Sequence, residues 1–290
     1  MKKAKIIVLS GQSNAVGVGH VKCLPRSFSE EKIAEYLNGY DNIKISFYSH
    51  DKKSDGFTRT GKNCTEVRKD TLGPEVGMAE YLNEKFPDEE FFIVKFAVGG
   101  ASLMRDFLPP SSGGYYNPDE FKNEYDGFID AFFNAKPLKA GWCYSGLVRL
   151  MRDSLSDLKA LGYDPEIIGF CWMQGESDAG SEEHVNNYKV YFDNLVCDFK
   201  KEFSEYIENC VFVDGGISEI WKCYREMNAF KADYADKHDR FVYVDTIANG
   251  LTTKFEPVES PDIYHYDCGS VVKLGHLFAE SIFERTSAEK

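Results

Sequence analysis

Residues Ile6–Gly19 read IIVLSGQSNAVGVG, a β-branched apolar run that breaks at a serine and a glycine and leads into GQSNA. The run has the length and composition of a strand, and the glycine predicts a sharp turn into a following helix near Ser13. A strand, a glycine turn and a helix together open a βαβ unit. Ser13 has two readings at this point. A serine where a helix begins can cap free backbone N–H groups. It can also be a nucleophile, because GQSNA resembles the G-x-S-x-G elbow, although it ends in alanine.

The same alternation continues along the chain. Strand-sized runs recur as AKIIVLS, IKISFYS, FFIVKFAV, EIIGFCWM, CVFVD and FVYVD, and helical apolar spacing appears from Pro74, Ser145 and His184. Strands alternating with helices predict an α/β protein, a three-layer α/β/α sandwich around a central, mostly parallel, doubly wound sheet. In such a sheet ligands bind beyond the carboxyl ends of the strands. That rule selects SGQSNA, GGAS, QGESD, DGG and the loop of Ser260 to His265. Nothing marks a second domain, so residues 1–290 are expected to form one unit. The aperiodic stretch 103–142 is too long for a connector and is expected to be a lid or a substrate-facing loop.

Composition narrows the partners. The 290 residues carry 34 Lys plus Arg against 47 Asp plus Glu, a net charge of −13, with no basic cluster to grip nucleic acid or an anionic membrane. No window approaches the roughly 18 apolar residues of a membrane span. The N-terminal apolar run is too short for a signal peptide and reads as the first strand. The eight cysteines lack a C-x-x-C pair and several lie in apolar runs, which predicts reduced, buried thiols and a cytoplasmic protein. The six histidines show no metal-ligand spacing, so neither a metal nor another cofactor is expected.

Three further stretches carry possible chemistry. Asp262 and His265 stand three residues apart in PDIYH, where an aspartate can hold one imidazole nitrogen and leave the other for a serine. A loop Asp and His can equally be solvated or cap a helix. FAVGGAS, Phe96–Ser102, can turn a backbone N–H into a cleft as an oxyanion donor, or simply make a tight turn. WMQGESD, Trp172–Asp178, places an amide and two carboxylates directly after a strand. There Gln174 is a candidate oxyanion donor, and Glu176 and Asp178 are either orienting groups or helix-start acids.

Taken in order, GQSNA, GPEVGMAEYL at Gly73, FAVGGAS, WMQGESD and the D-x-x-H at Asp262 resemble the SGNH/GDSL hydrolase superfamily. Within it they are most similar to the sialate O-acetylesterase-like group that includes carbohydrate esterase family 6. The resemblance implies a flavodoxin-like SGNH hydrolase fold and a cofactor-independent serine esterase. It implies Ser13 as nucleophile, His265 as general base and Asp262 as the acid that orients it, with Glu176 the competing acid. The oxyanion donors implied are the Ser13 N–H, the backbone at Gly100 and the Gln174 side chain.

The expected reaction is removal of O-acetyl groups from a saccharide, either an O-acetyl sialic acid or an acetylated xylo- or manno-oligosaccharide, through an acetyl-enzyme. The rivals are a broader esterase, lipase or thioesterase on the same residues, and a non-catalytic carbohydrate-binding protein. Gln12 and Asn14, flanking Ser13, are candidate substrate contacts. Arg105 could pair with a substrate carboxylate or belong to a structural ion pair. Tyr115 and Tyr116 are candidate sugar-packing rings, with Phe107, Phe121, Tyr125 and Trp142 in the same stretch, and each could instead pack that stretch onto the body.

Overall fold

A computed structural model describes residues 1–49, 52–61, 70–119, 121, 139–254, 256 and 262–288. Its strands are β1 (Lys2–Gly11), β2 (Gly19–His20), β3 (Ile43–Ser49), β4 (Lys52–Lys53), β5 (Thr58–Arg59), β6 (Thr71–Leu72), β7 (Phe91–Ala97), β8 (Tyr163–Met173), β9 (Val211–Gly215) and β10 (Phe241–Val244). The α-helices among the described residues are α1 (Ser13–Val16), α2 (Glu30–Asn38), α3 (Glu75–Lys85), α4 (Trp142–Ala160), α5 (Glu182–Glu202), α6 (Tyr224–Lys237) and α7 (Cys268–Ala288).

The main sheet runs β10-β9-β8-β1-β7-β3-β4, with β5 also on β3. All pairings from β10 to β3 are parallel, and only the short β4 and β5 join antiparallel. The expected α/β class with a mostly parallel sheet is therefore observed. The strand order differs from a flavodoxin-like 2-1-3-4-5, because β7 inserts between β1 and β3. The chain fills one side of β1 first and then crosses to β8 on the other. The connections leaving β1 and β8 thus run to opposite sides of the sheet, which makes the ends of these strands, at the paired Gly11 and Met173, the switch point where ligands bind in such folds.

Alternate residues of β7 show why the sheet has two helical layers. Phe91 meets Phe283 of α7, and Lys95 meets Glu75 of α3. Phe96 instead packs on Phe107 and Phe121, against which Gly146 of α4 is pressed. Every residue of β7 is buried, which is why the run is apolar without alternation. On the first face α3 and α7 pack backbone to backbone. A Cβ on Gly77 would sit 1.8 Å from the Val272 carbonyl, and one on Gly275 1.7 Å from that of Pro74, so only glycine fits either position. The glycine of GPEVGMA is thus a packing residue.

Within stretch 103–142, the N–H groups of Leu103 and Met104 donate to Asp178 at 2.9 and 3.1 Å. Pro110–Ser112 forms a short 3-10 turn fixed to α5 through Ser111 and Asp198 at 2.9 Å and Ser112 and Asn194 at 2.8 Å. Its remaining residues, 120 and 122–138, lie outside the described residues, so the lid expectation there is not addressed. Helix α4 begins at Trp142, three residues before the expected Ser145. Among the described residues no helix is long and apolar enough to cross a membrane, and seven cysteines are free thiols.

Candidate active site

The site begins where β1 ends. Gly11 has φ 141°, and a Cβ there would lie 2.0 Å from the Met173 carbonyl oxygen, so the strand can end against β8 only with glycine. The next N–H, of Gln12, donates to that carbonyl at 3.0 Å. Ala15 and Val16 donate to the Gln12 carbonyl at 2.8 and 2.9 Å, which makes Gln12 the cap position and Ser13 the first helical residue. No side chain caps this helix. Ser13 is therefore not a cap. It is half-buried, and among the described residues neither its hydroxyl nor its N–H has a partner.

A buried ion pair fixes the other end of that turn. Lys95 donates to the Val16 carbonyl at 2.6 Å and to Glu75 at 2.7 Å, with both side chains fully buried. An ammonium is costly to bury unless each proton finds an acceptor, so the position of α1 is coupled to this pair.

The base comes from the far end of the chain. His265 Nδ1–H donates to Asp262 Oδ2 at 2.6 Å, and the other carboxylate oxygen accepts from Tyr264 N–H at 3.1 Å. The carboxylate partner puts the proton on Nδ1 and leaves Nε2 as an acceptor. Asn14 joins the two halves. Its carbonyl accepts from the Tyr266 N–H at 3.0 Å, and its NH₂ donates to Glu176 at 2.8 Å. The neighbours of Ser13 and His265 are thus bonded to each other.

Glu176 is buried and touches Asn14 rather than His265 Nδ1. Burial pushes its carboxyl up, opposed by the Asn14 amide and by the charges of Lys231 and His265. Burial likewise pushes up Asp178, against the N–H groups of Leu103 and Met104 and the Gln174 amide that hold it down.

Gln174, expected as an oxyanion donor, turns its amide inward. It is fully buried, and its NH₂ is spent on Asp178 at 2.6 Å, Gln12 at 3.1 Å and the Ala101 carbonyl at 3.2 Å. It braces the GGAS turn against the QGE loop instead. Gly100 sits at the apex of that turn with φ 70°, its carbonyl accepting from Ser177 and its N–H unpartnered among the described residues. Gln12 is held by its carbonyl, which accepts from Gln174 and from the Ser177 N–H at 3.1 Å each, while its NH₂ has no partner among the described residues.

The other expected substrate contacts have these surroundings. Asn14 is buried and bonded to protein on both ends of its amide. Tyr116 donates to Glu202 at 2.8 Å and accepts from Arg152 at 3.0 Å, on the outer face of α5. Tyr115 lies under Lys139, whose ammonium is 3.9 Å from the ring, at the start of α4. Phe107, Phe121 and Trp142 are core residues, and Tyr125 is outside the described residues. Arg105 stays exposed beside the GGAS turn and pairs with Asp106 at 2.8 Å.

Two buried lysines escaped the sequence reading. A lysine inside the apolar run FFIVKFAV was the available signal for Lys95. Lys231 on α6 had none, yet it donates to the Gln174 carbonyl and Asp214 at 2.6 Å and to the Gly215 carbonyl at 2.9 Å, fastening the QGE loop to the end of β9. Burial pushes Asp214 up to about 6 despite that ammonium. A separate cavity of about 990 Å³ between Arg26, Thr252 and α7 is lined by none of the candidate site residues.

The family model described as carbohydrate esterase, sialic acid-specific acetylesterase (SASA) matches residues 3–284. No curated protein sequence matches the chain. Among solved structures, NanS is 17% identical with a TM-score of 0.66, over 100% of this chain and 98% of that one. A protein from Arabidopsis thaliana is 17% identical with a TM-score of 0.65, over 97% and 98%. A carbohydrate acetylesterase from Xanthomonas citri is 11% identical with a TM-score of 0.57, over 98% of this chain and 56% of that one. At these identities the likeness is one of fold. The family match spans nearly the whole chain and takes in every element of the site, and the chain therefore belongs to the carbohydrate esterase family of sialic acid-specific acetylesterases, hydrolases of acetyl esters.

Proposed function

We propose that the protein is a serine O-acetylesterase acting on an acetylated saccharide, with Ser13, His265 and Asp262 as its triad. The observation that carries this reading is the 2.6 Å Asp262–His265 bond, together with the 3.0 Å Asn14–Tyr266 bond that joins the residues following Ser13 and His265. His265 Nε2 takes the Ser13 proton as the hydroxyl oxygen attacks the acetyl carbonyl carbon. The oxyanion is met by the N–H groups of Ser13 and Gly100, and by the Gln12 NH₂ in the place expected for Gln174. As the ester C–O bond breaks, the proton passes from His265 to the leaving sugar oxygen. Water, deprotonated by the same nitrogen, then releases acetate and restores Ser13.

Glu176 in this reading is not the triad acid but holds Asn14, and through it the backbone beside His265. Buried free thiols support a reducing, cytoplasmic setting. The experiment is acetate release from acetylated xylan, acetylated mannan and O-acetyl sialic acids by the wild type and Ser13→Ala. Release from at least one of them, lost in the variant, is expected. A preference for long-chain acyl esters, or no release from any saccharide, overturns the reading.

A further inference from the structure

The leaving alcohol of an ester bound at Ser13 must approach His265, because that imidazole protonates the departing oxygen. The surface around His265 therefore reads the alcohol rather than the acyl group. That surface is aromatic. Tyr264, the residue before His265, is 52% exposed, and its ring centroid lies 5.6 Å from that of Trp221 at an interplanar angle of 46°. Among the described residues few large apolar side chains are exposed, and Ile263 beside Tyr264 is another, 40% exposed.

The wall is fixed relative to the base. The Tyr266 hydroxyl donates to the Gly216 carbonyl at 3.2 Å and pairs with Thr246 at 3.0 Å, which ties the His265 turn to the loops after β9 and β10. Trp221 lies on the first of those loops, and its backbone N–H donates to the Ser218 carbonyl at 3.5 Å. Next to it opens a cavity of about 190 Å³ lined by Ser218, Ile247, Thr252 and Thr253. The Ser218 hydroxyl in that lining is buried and has no hydrogen-bond partner among the described residues. An apolar wall beside an unpaired hydroxyl fits a ring with one C–H face and equatorial hydroxyls.

Building on the O-acetylesterase reading above, we propose that Tyr264 and Trp221 form a sugar-stacking subsite for the pyranose that carries the acetyl group, with a substituent of that ring reaching the Ser218 cavity. The subsite selects the alcohol half of the ester and makes no contact with the acetyl group.

The test compares kcat/KM for a mono-O-acetylated pyranoside with that for ethyl acetate, whose leaving group is too small to reach the wall. Tyr264→Ala and Trp221→Ala are expected to lower the pyranoside-to-ethyl ratio at least about fivefold, the scale of losing one aromatic contact. Tyr264→Phe keeps the ring and is expected to keep the ratio, as is Tyr116→Ala on the outer face of α5. The exposed Tyr264 keeps the test decisive if the half-buried Trp221 variant fails to fold. An unchanged ratio in Tyr264→Ala, or an equal loss in Tyr264→Phe, overturns the subsite. A wild type that cleaves ethyl acetate but no acetylated pyranoside overturns the O-acetylesterase reading itself, and the subsite with it.

Discussion

Asn14 and Tyr266 stand 252 residues apart in the chain and share a 3.0 Å hydrogen bond. Each follows a residue proposed as catalytic, so one amide side chain joins the Ser13 turn to the His265 turn. Asn14→Ala leaves the buried Tyr266 N–H and the Glu176 carboxyl without this partner, and each orphaned group costs about 1–3 kcal/mol. Urea unfolding should show a loss of about 2–6 kcal/mol, accompanied by a fall in kcat larger than the change in KM.

The identity of the orienting acid separates by substitution. Asp262→Asn removes the acceptor that fixes the His265 tautomer and is expected to lower kcat by about 10³–10⁴. Glu176→Gln keeps an oxygen for the Asn14 NH₂ and is expected to cost less than about tenfold. Steady-state kinetics of the two variants checks this, and the reverse order of losses would assign the role to Glu176.

Lys95 and Glu75 give a stability prediction. Removing one member of a buried pair typically costs about 3–5 kcal/mol, whereas replacing both with apolar groups is close to neutral. Lys95→Met alone should destabilise by that amount, and adding Glu75→Leu should recover most of it. Activity should stay low in both, because the Val16 carbonyl loses its ammonium and α1 its anchor. Chemical unfolding and acetate release, measured on the same preparations, separate the two effects.

Asp214 makes a prediction in pH. Its folded value, about 6, lies above the unfolded 3.8, so between these pH values the folded state holds a proton that the unfolded state has released. Its contribution to stability is therefore full below about pH 4 and is lost as pH rises through 6. Relative to Asp214→Asn, whose side chain does not titrate, the wild type should lose on the order of 3 kcal/mol of unfolding free energy between pH 4 and 7. Denaturant midpoints of both proteins across that range test it.

Local pattern carried much of this architecture. IKISFYS is β3 residue for residue, and FFIVKFAV overruns β7 by only Val98, because buried parallel strands are continuously apolar and end at turn residues. Trp142 reads as the end of the aperiodic stretch and the helix as starting at Ser145, because the helical period of Trp142, Cys143 and Tyr144 is visible only with the residues that follow. The pair Asp262 and His265 was legible because both partners lie within one turn. The inward Gln174 amide was not, since its acceptors on Gln12, Ala101 and Asp178 come from three segments. Tyr116 reads as a sugar contact by composition, and only the sheet's geometry carries it to Arg152 and Glu202.

The central claim is that Ser13 is the nucleophile, and covalent labelling tests it most directly. The wild type is treated with a fluorophosphonate and the modified peptide located by mass spectrometry, with Ser13→Ala and Asp262→Asn alongside. The account predicts a single adduct on Ser13 that abolishes acetate release, no adduct in Ser13→Ala and slowed labelling in Asp262→Asn. An adduct on another residue, or full acetate release from Ser13→Ala, would contradict it.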